Sequence, residues 1–254
     1  MPNPVEPSDA PVRHRTPVAR VVGGTGAAML VVAALVILVA AMTAPGDGPR
    51  NMGSDGIRIS ADLRAEPTKA LAAGEPAMQL TSDDGTVDVR LYVDYRCVHC
   101  GQFDAANGEL LAELADEGAI VLEIHPLGWL GADSVAAGNA AACVADLAPN
   151  AYLAYHHELL QHIGTSLDDE QLTALATASG APATSQVAAC IGDGEFDHWV
   201  SDTTRRARTQ PIAELGSPVL AAPTVLIDGE QYTGSFDDPE AFAEALQQHL
   251  APAA

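Results

Sequence analysis

Cys97-Val98-His99-Cys100 sets two thiols two residues apart, where a strand-like run, Val87 to Tyr95, gives way to a helical pattern. On the first turn of a helix, two cysteines so spaced can close a small disulfide ring. The helix N-terminus and the intervening His99 can then stabilise Cys97 as a thiolate. A thiolate is the species that attacks, or leaves from, another disulfide, so the spacing points to redox chemistry on the cysteines of other proteins. The same residues could serve as a structural disulfide or as half of a zinc site. Zinc usually takes four ligands from two paired knuckles, and the chain has no second Cys-x-x-Cys.

The elements around the motif follow from periodicity. Val87, Val89, Leu91 and Val93 alternate with Asp88, Arg90, Tyr92 and Asp94, the period of a strand. After the motif, Phe103, Ala106, Leu110, Leu111 and Leu114 recur at helical spacing, and Gly118 stops the helix. Ala119 to Ile124 reads as a second strand, parallel to the first because a helix crosses between them. From Ser134 to about Arg208 every pattern is helical. Thr224 to Ile227 is a strand, Asp228-Gly229-Glu230 a hairpin turn and Gln231 to Thr233 its short partner. Asp238-Pro239-Glu240 caps a last helix that buries Phe242, Ala245, Leu246 and Leu250. The order predicts an α/β fold: a central mixed sheet, helices on both faces, and a helical insertion at about 132–212.

The 254 residues carry 12 Lys+Arg against 34 Asp+Glu, a formal net charge of −22. That balance excludes the basic face that nucleic acid requires. Residues 21–43 hold no charge, and Ala27 to Met42 is almost wholly apolar, long enough for one transmembrane helix. Arg13, Arg15 and Arg20 precede it and Asp47 follows, which keeps residues 1–20 in the cytoplasm and exports the rest. A cleaved signal peptide ending at Val39-Ala40-Ala41 is the alternative. Either way the cysteines work where disulfides persist. Residues 44–76, rich in Gly, Pro and charge, read as a flexible linker to a domain at 77–254.

From about Ala77 to Leu250 the chain resembles the DsbA-like branch of the thioredoxin superfamily. The resemblance rests on Asp94-Tyr95-Arg96-Cys97-Val98-His99-Cys100-Gly101-Gln102-Phe103 after a strand, on the helical insertion, and on Ala222-Pro223-Thr224-Val225-Leu226-Ile227-Asp228-Gly229. It implies a thioredoxin-like fold in which Pro223 is cis and faces the cysteines, leaving the Ala222 main chain to pair with an extended substrate; Pro218 is the rival for the cis bond. Two departures stand out. Val98 occupies the dipeptide position where the family commonly has Pro, and Leu91 the position where many relatives carry a buried acid. The proton acceptor for Cys100 then has to be water, Asp94 or another group.

Four further sets of residues are candidates. Cys143 and Cys190, in alanine-rich helical segments of an exported domain, are expected to bond to each other as a structural disulfide, with inert thiols the alternative. His156, His157 and His162 lack an HExxH pattern and are read as a partly solvated helix face, not a metal site. His125 either borders the active site or shapes a loop. Asp94 either tunes the cysteines or ends a strand, and Arg96 can favour a thiolate at Cys97.

Together these residues predict a membrane-anchored, extracytoplasmic thiol–disulfide oxidoreductase. Cys97 and Cys100 form its redox pair, with His99 and Pro223 as catalytic residues and Ala222 and Pro223 binding substrate. No cofactor or metal is expected. Its partners would be exported client proteins bearing cysteines and a membrane redox protein that recycles the pair. A reductase or isomerase of the same fold, or a non-catalytic tethered peptide-binding module, are the other readings.

Overall fold

Strand β2 (Val87–Val93) lies in the middle of the sheet and is buried along its whole length. Its neighbours explain why. It runs parallel to β3 (Ile120–Pro126) and antiparallel to β4 (Thr224–Ile227), with Leu91 opposite Ile124 on one side and Val225 on the other. The structure is a computed structural model and describes residues 49, 54–66, 86–183 and 185–250. In it the sheet order is β1-β3-β2-β4-β5, with β1 at Ile57–Ile59 and β5 at Glu230–Gln231.

Alternation of this kind commonly marks a strand with one solvated face, but in β2 Asp88, Arg90 and Tyr92 are buried too. Burying a charge is tolerated only with partners. Arg90 has them: Asp88 at 2.7 Å and Glu214 at 2.7 Å. The second face of the sheet is thus closed over an ion-pair cluster, while the first packs on aliphatic core.

Helix α1 (Val98–Asp116) crosses from β2 to β3 and buries Cys100, Phe103, Asn107, Leu111 and Ala115 at helical spacing. Gly118 ends it at φ 69°, a conformation that suits glycine, and Ala119 N–H bonds back to Leu114 O at 2.9 Å. Phe103 meets Phe242 edge-on at 5.1 Å, which ties α1 to the last helix, α7 (Pro239–Leu250). Asp238 caps that helix by accepting from the N–H groups of Glu240 and Ala241 at 3.1 Å.

Between β3 and β4 lie α2 (Ala132–Leu147), α3 (Tyr152–Gln161), α4 (Asp169–Ala178), α5 (Ser185–Gly192) and α6 (Asp197–Thr209). α2 is the axis of this insertion. Ala140, Ala141, Ala142, Cys143, Val144 and Ala145 are all fully buried, and their small side chains let α3, α5 and α6 approach closely. Cys143 on α2 bonds to Cys190 on α5, with Cα atoms 5.9 Å apart.

One expectation is corrected. Residues 54–66 are not a flexible linker: β1 pairs antiparallel with β3 through Ile57–Ile124 and Ile59–Leu122. Ile57 and Ile59 are buried, and Asp55 receives Arg206 of α6 in a two-pronged ion pair at 2.7 and 2.8 Å. A Cβ at Gly56 would lie 2.6 Å from Glu123 Oε1, so only glycine lets the chain descend onto the charged cluster. The folded unit therefore begins by residue 54, well before residue 77. The expected cytoplasmic tail and transmembrane segment lie outside the described residues. Among the described residues no helix is long and apolar enough to cross a membrane.

Two stability measurements follow. A chain starting at residue 77 loses the burial of Ile57 and Ile59, each worth about 1.5–3 kcal/mol, and exposes the edge of β3. Urea unfolding should show it less stable than a chain starting at residue 54 by about 3 kcal/mol or more; equal midpoints would contradict the docking of β1. Replacing Cys143 and Cys190 together by Ala opens a loop of 47 residues. It should cost about 4 kcal/mol on the chain-entropy account, seen as a lower midpoint with reactivity at Cys97 retained.

Candidate active site

Cys97 is the N-cap of α1, in extended conformation at φ −85° and ψ 116°. The first amides of a helix point their positive end at the N-cap, and the first turn of α1 holds no acidic side chain to offset them. A negative charge on the Cys97 sulfur is therefore favoured. The largest influence is a hydrogen bond from the Cys100 thiol; burial opposes it, the amides of Cys100 and His99 assist, and Asp94 opposes. The result is a thiol whose pKa falls to about 6. Cys100 behaves in the opposite way. It is fully buried, so desolvation first, and then its bond to Cys97, hold its proton far more tightly than an ordinary thiol does. Both cysteines are free thiols in this structure.

Beside Cys97 lies the turn before β4. Its thiol donates to Ala222 O at 3.2 Å, and the Ala222–Pro223 peptide is cis. Thr224 Oγ1 donates to Ala221 O at 2.8 Å and braces that turn. The N–H of Asp94 points to Cys100 Sγ at 3.4 Å.

Asp94 binds the surroundings together. Its fully buried carboxylate accepts from Arg96 N–H at 2.7 Å, Leu130 N–H at 2.9 Å and Ser134 Oγ at 2.8 Å. It thereby joins the end of β2 to the motif turn and to the start of α2. Close helix packing matters as well. A Cβ at Gly101 would meet Leu160 O at 2.8 Å and the Ile163 side chain closer still.

Residues 76–248 match the profile of a protein family described as thioredoxin. The chain belongs to the thioredoxin family. No match to a curated protein sequence was found. Among solved structures, this thioredoxin-family fold is shared by the reduced form of the disulfide bond oxidoreductase DsbG from Mycobacterium tuberculosis. That likeness has a TM-score of 0.59 and 23% identity over 84% of this chain and 92% of the other. Reduced DsbA from the same organism gives 0.58 and 22% over 78% and 93%. MdbA, a thiol-disulfide oxidoreductase from Corynebacterium diphtheriae, gives 0.56 and 19% over 77% and 93%.

The structure brings Cys97, Cys100, Ala222 and Pro223 together, across 125 positions between Cys97 and Ala222. The side chains of two other candidates turn elsewhere. His99 Nδ1 pairs with Gln102 Oε1 at 2.9 Å, so it is the backbone amide of His99, not its imidazole, that favours the thiolate. The guanidinium of Arg96 donates to Thr165 O. His125 does not border the cysteines; it stacks on Tyr92 at 4.3 Å and pairs with Glu123 at 3.3 Å. There a cavity of about 390 Å³ opens between the sheet and α6, lined by Asp55, Arg90, Tyr92, Glu123 and Arg206. Neither Cys97 nor Cys100 lines it. Ser134, Leu130 and Gly101 escaped the sequence reading. Only Gly101 left a signal, as a glycine inside a helix directly after the motif.

The asymmetry of the two thiols sets a pH profile. Alkylation of the reduced protein by iodoacetamide should go to Cys97, rise with pH through about 6, and level off above it. Labelling at Cys100 first, or a rise continuing past pH 8, would contradict this arrangement.

Proposed function

We propose that this protein is a membrane-anchored, extracytoplasmic thiol–disulfide oxidoreductase that introduces disulfides into exported proteins. The observation that carries this reading is the placing of Cys97, half-open at the head of α1 beside the Ala222 carbonyl, with Cys100 buried one turn behind it, a setting that lowers the pKa of Cys97. The relatives of like fold that are described as disulfide or thiol-disulfide oxidoreductases support it.

Catalysis starts from the Cys97–Cys100 disulfide. A client thiolate attacks Cys97 Sγ; the client–Cys97 bond forms, the Cys97–Cys100 bond breaks, and the Cys100 sulfur takes up a proton. A second client thiolate then attacks the client sulfur of this mixed disulfide and releases Cys97 as a thiolate. The client loses two electrons and the cysteine pair gains them. A low pKa makes Cys97 a good leaving group and stabilises the reduced enzyme, which drives the reaction toward client oxidation. The sign with pH follows. The advantage of the reduced state is full above the ordinary thiol pKa and is lost as pH falls through about 6.

Val98 next to Cys97, Leu130 in the loop tied to Asp94 and Leu220 just before the Ala222 turn are exposed, at 59%, 60% and 79%, and offer an apolar rest for an unfolded client. The Ala222 main chain supplies hydrogen bonding, and Pro223 shapes the turn that presents it. The uncharged stretch at 21–43, with Arg13, Arg15 and Arg20 before it, supports a single anchor with the catalytic domain outside. A membrane redox protein would then reoxidise the pair.

Expressed as the full chain, Cys100→Ser should accumulate mixed disulfides with exported proteins in the membrane fraction, and Cys97→Ser should not. The purified wild type should have a reduction potential less negative than about −200 mV. Trapping by Cys97→Ser would overturn the assignment of the nucleophile. A potential near about −270 mV would mark a reductant, and recovery of the adducts from the cytosol would refute the anchor.

A further inference from the structure

Where α1 and α3 cross, one carboxylate faces two imidazoles. Asp104 Oδ1 lies 2.8 Å from His157 Nδ1 and 3.7 Å from His156 Nε2, and the three candidate ligand atoms fall within 4.8 Å of one another. His156 and His157 were expected on a solvated helix face, yet His156 is fully buried and His157 is half-buried. The 3.7 Å separation is too long for a hydrogen bond. It is close to the spacing of two ligands on one tetrahedral ion with bonds of about 2.0–2.2 Å.

We propose that Asp104, His156 and His157 form a binding site for a divalent metal of the zinc class, with water in the remaining position. The donor set selects the metal: two imidazole nitrogens and one carboxylate oxygen suit zinc and its neighbours, whereas calcium and magnesium take oxygen. The surroundings are arranged as such a site requires. His156 Nδ1 lies 3.0 Å from the Tyr95 hydroxyl, which can fix the ring so that Nε2 carries the free lone pair. Gly108 leaves the space: a Cβ there would lie 2.8 Å from Asp104 Oδ1 and 3.0 Å from His157 Cε1. Bound metal would clamp α1, which carries Cys97 and Cys100, to α3.

Cys97 and Cys100 are themselves capable of binding metal, so the test uses the untagged full chain in mild detergent with that pair oxidised and prior metal stripped by chelator. Cobalt(II) is titrated in and its visible d–d absorption recorded, followed by competition with zinc. The expected result is a band that saturates at one cobalt per chain and is displaced by zinc. His157→Ala and Asp104→Asn should each weaken binding by about tenfold or more, while His162→Ala, on the next turn, retains it. If Asp104→Asn does not fold, the half-buried His157→Ala decides alone. No saturating band, unchanged affinity in His157→Ala, or loss in His162→Ala would overturn the site.

Discussion

The position of the reactive sulfur depends on the buried carboxylate of Asp94. Strand β2 delivers it to the end of the sheet, and three donors from separate parts of the chain converge on it: the Arg96 amide, the Leu130 amide and the Ser134 hydroxyl. Donors of this kind replace the water a buried carboxylate gives up. With them, the motif turn, the loop after β3 and the first turn of α2 are held to one point. Cys97 then stands at the head of α1 with the helix amides directed at it. The arrangement has an electrostatic cost, because the Asp94 charge disfavours a thiolate at Cys97. The Cys100 thiol and the helix amides outweigh it.

Cys97 and Cys100 are chemically identical residues separated by one helical turn, and environment alone divides their roles. Cys97 is partly open to solvent and sits at the head of α1, where the amides of Cys100 and His99 favour a negative sulfur. Cys100 faces the core, where water cannot solvate a charge. The proton therefore belongs to Cys100, and its hydrogen bond to Cys97 stabilises the negative sulfur further. Burial acts on both, raising each pKa, but only at Cys97 do donors overcome it.

Much of this was readable from the chain. Strands β2, β3 and β4, the hairpin after Ile227 and the capped last helix all carry local signals: alternation, a Gly-ended helix, Asp-Gly, Asp-Pro-Glu. The cysteine motif and the Ala222-Pro223 turn were readable as residues, and the fold brings them into contact. Other features have only tertiary causes. β1 is three residues long, inside a segment rich in Gly, Pro and charge, and its evidence lies in distant partners: Ile124 opposite Ile57, and Arg206 on Asp55. The polar residues of β2 alternate as a solvated face would, yet Glu214, 124 positions from Arg90, helps make their burial possible. His99 had the right position to assist the thiolate, but Gln102, one turn on, takes its imidazole. His156 and His157 gave no periodic signal separating a buried face from a wet one, and only the crossing with α1 brings Asp104 to them.

The bond between Cys143 and Cys190 bears on how the molecule comes into being. Both sulfurs are sealed inside the alanine-lined insertion, 0% and 3% exposed. No oxidant the size of a protein can reach them once α2 and α5 have packed. A protein oxidant would have to act while those helices are still apart. On the proposed activity, a newly made chain is thus a client before it is a catalyst. On that reading, an older, folded copy carries the chemistry to be its oxidant.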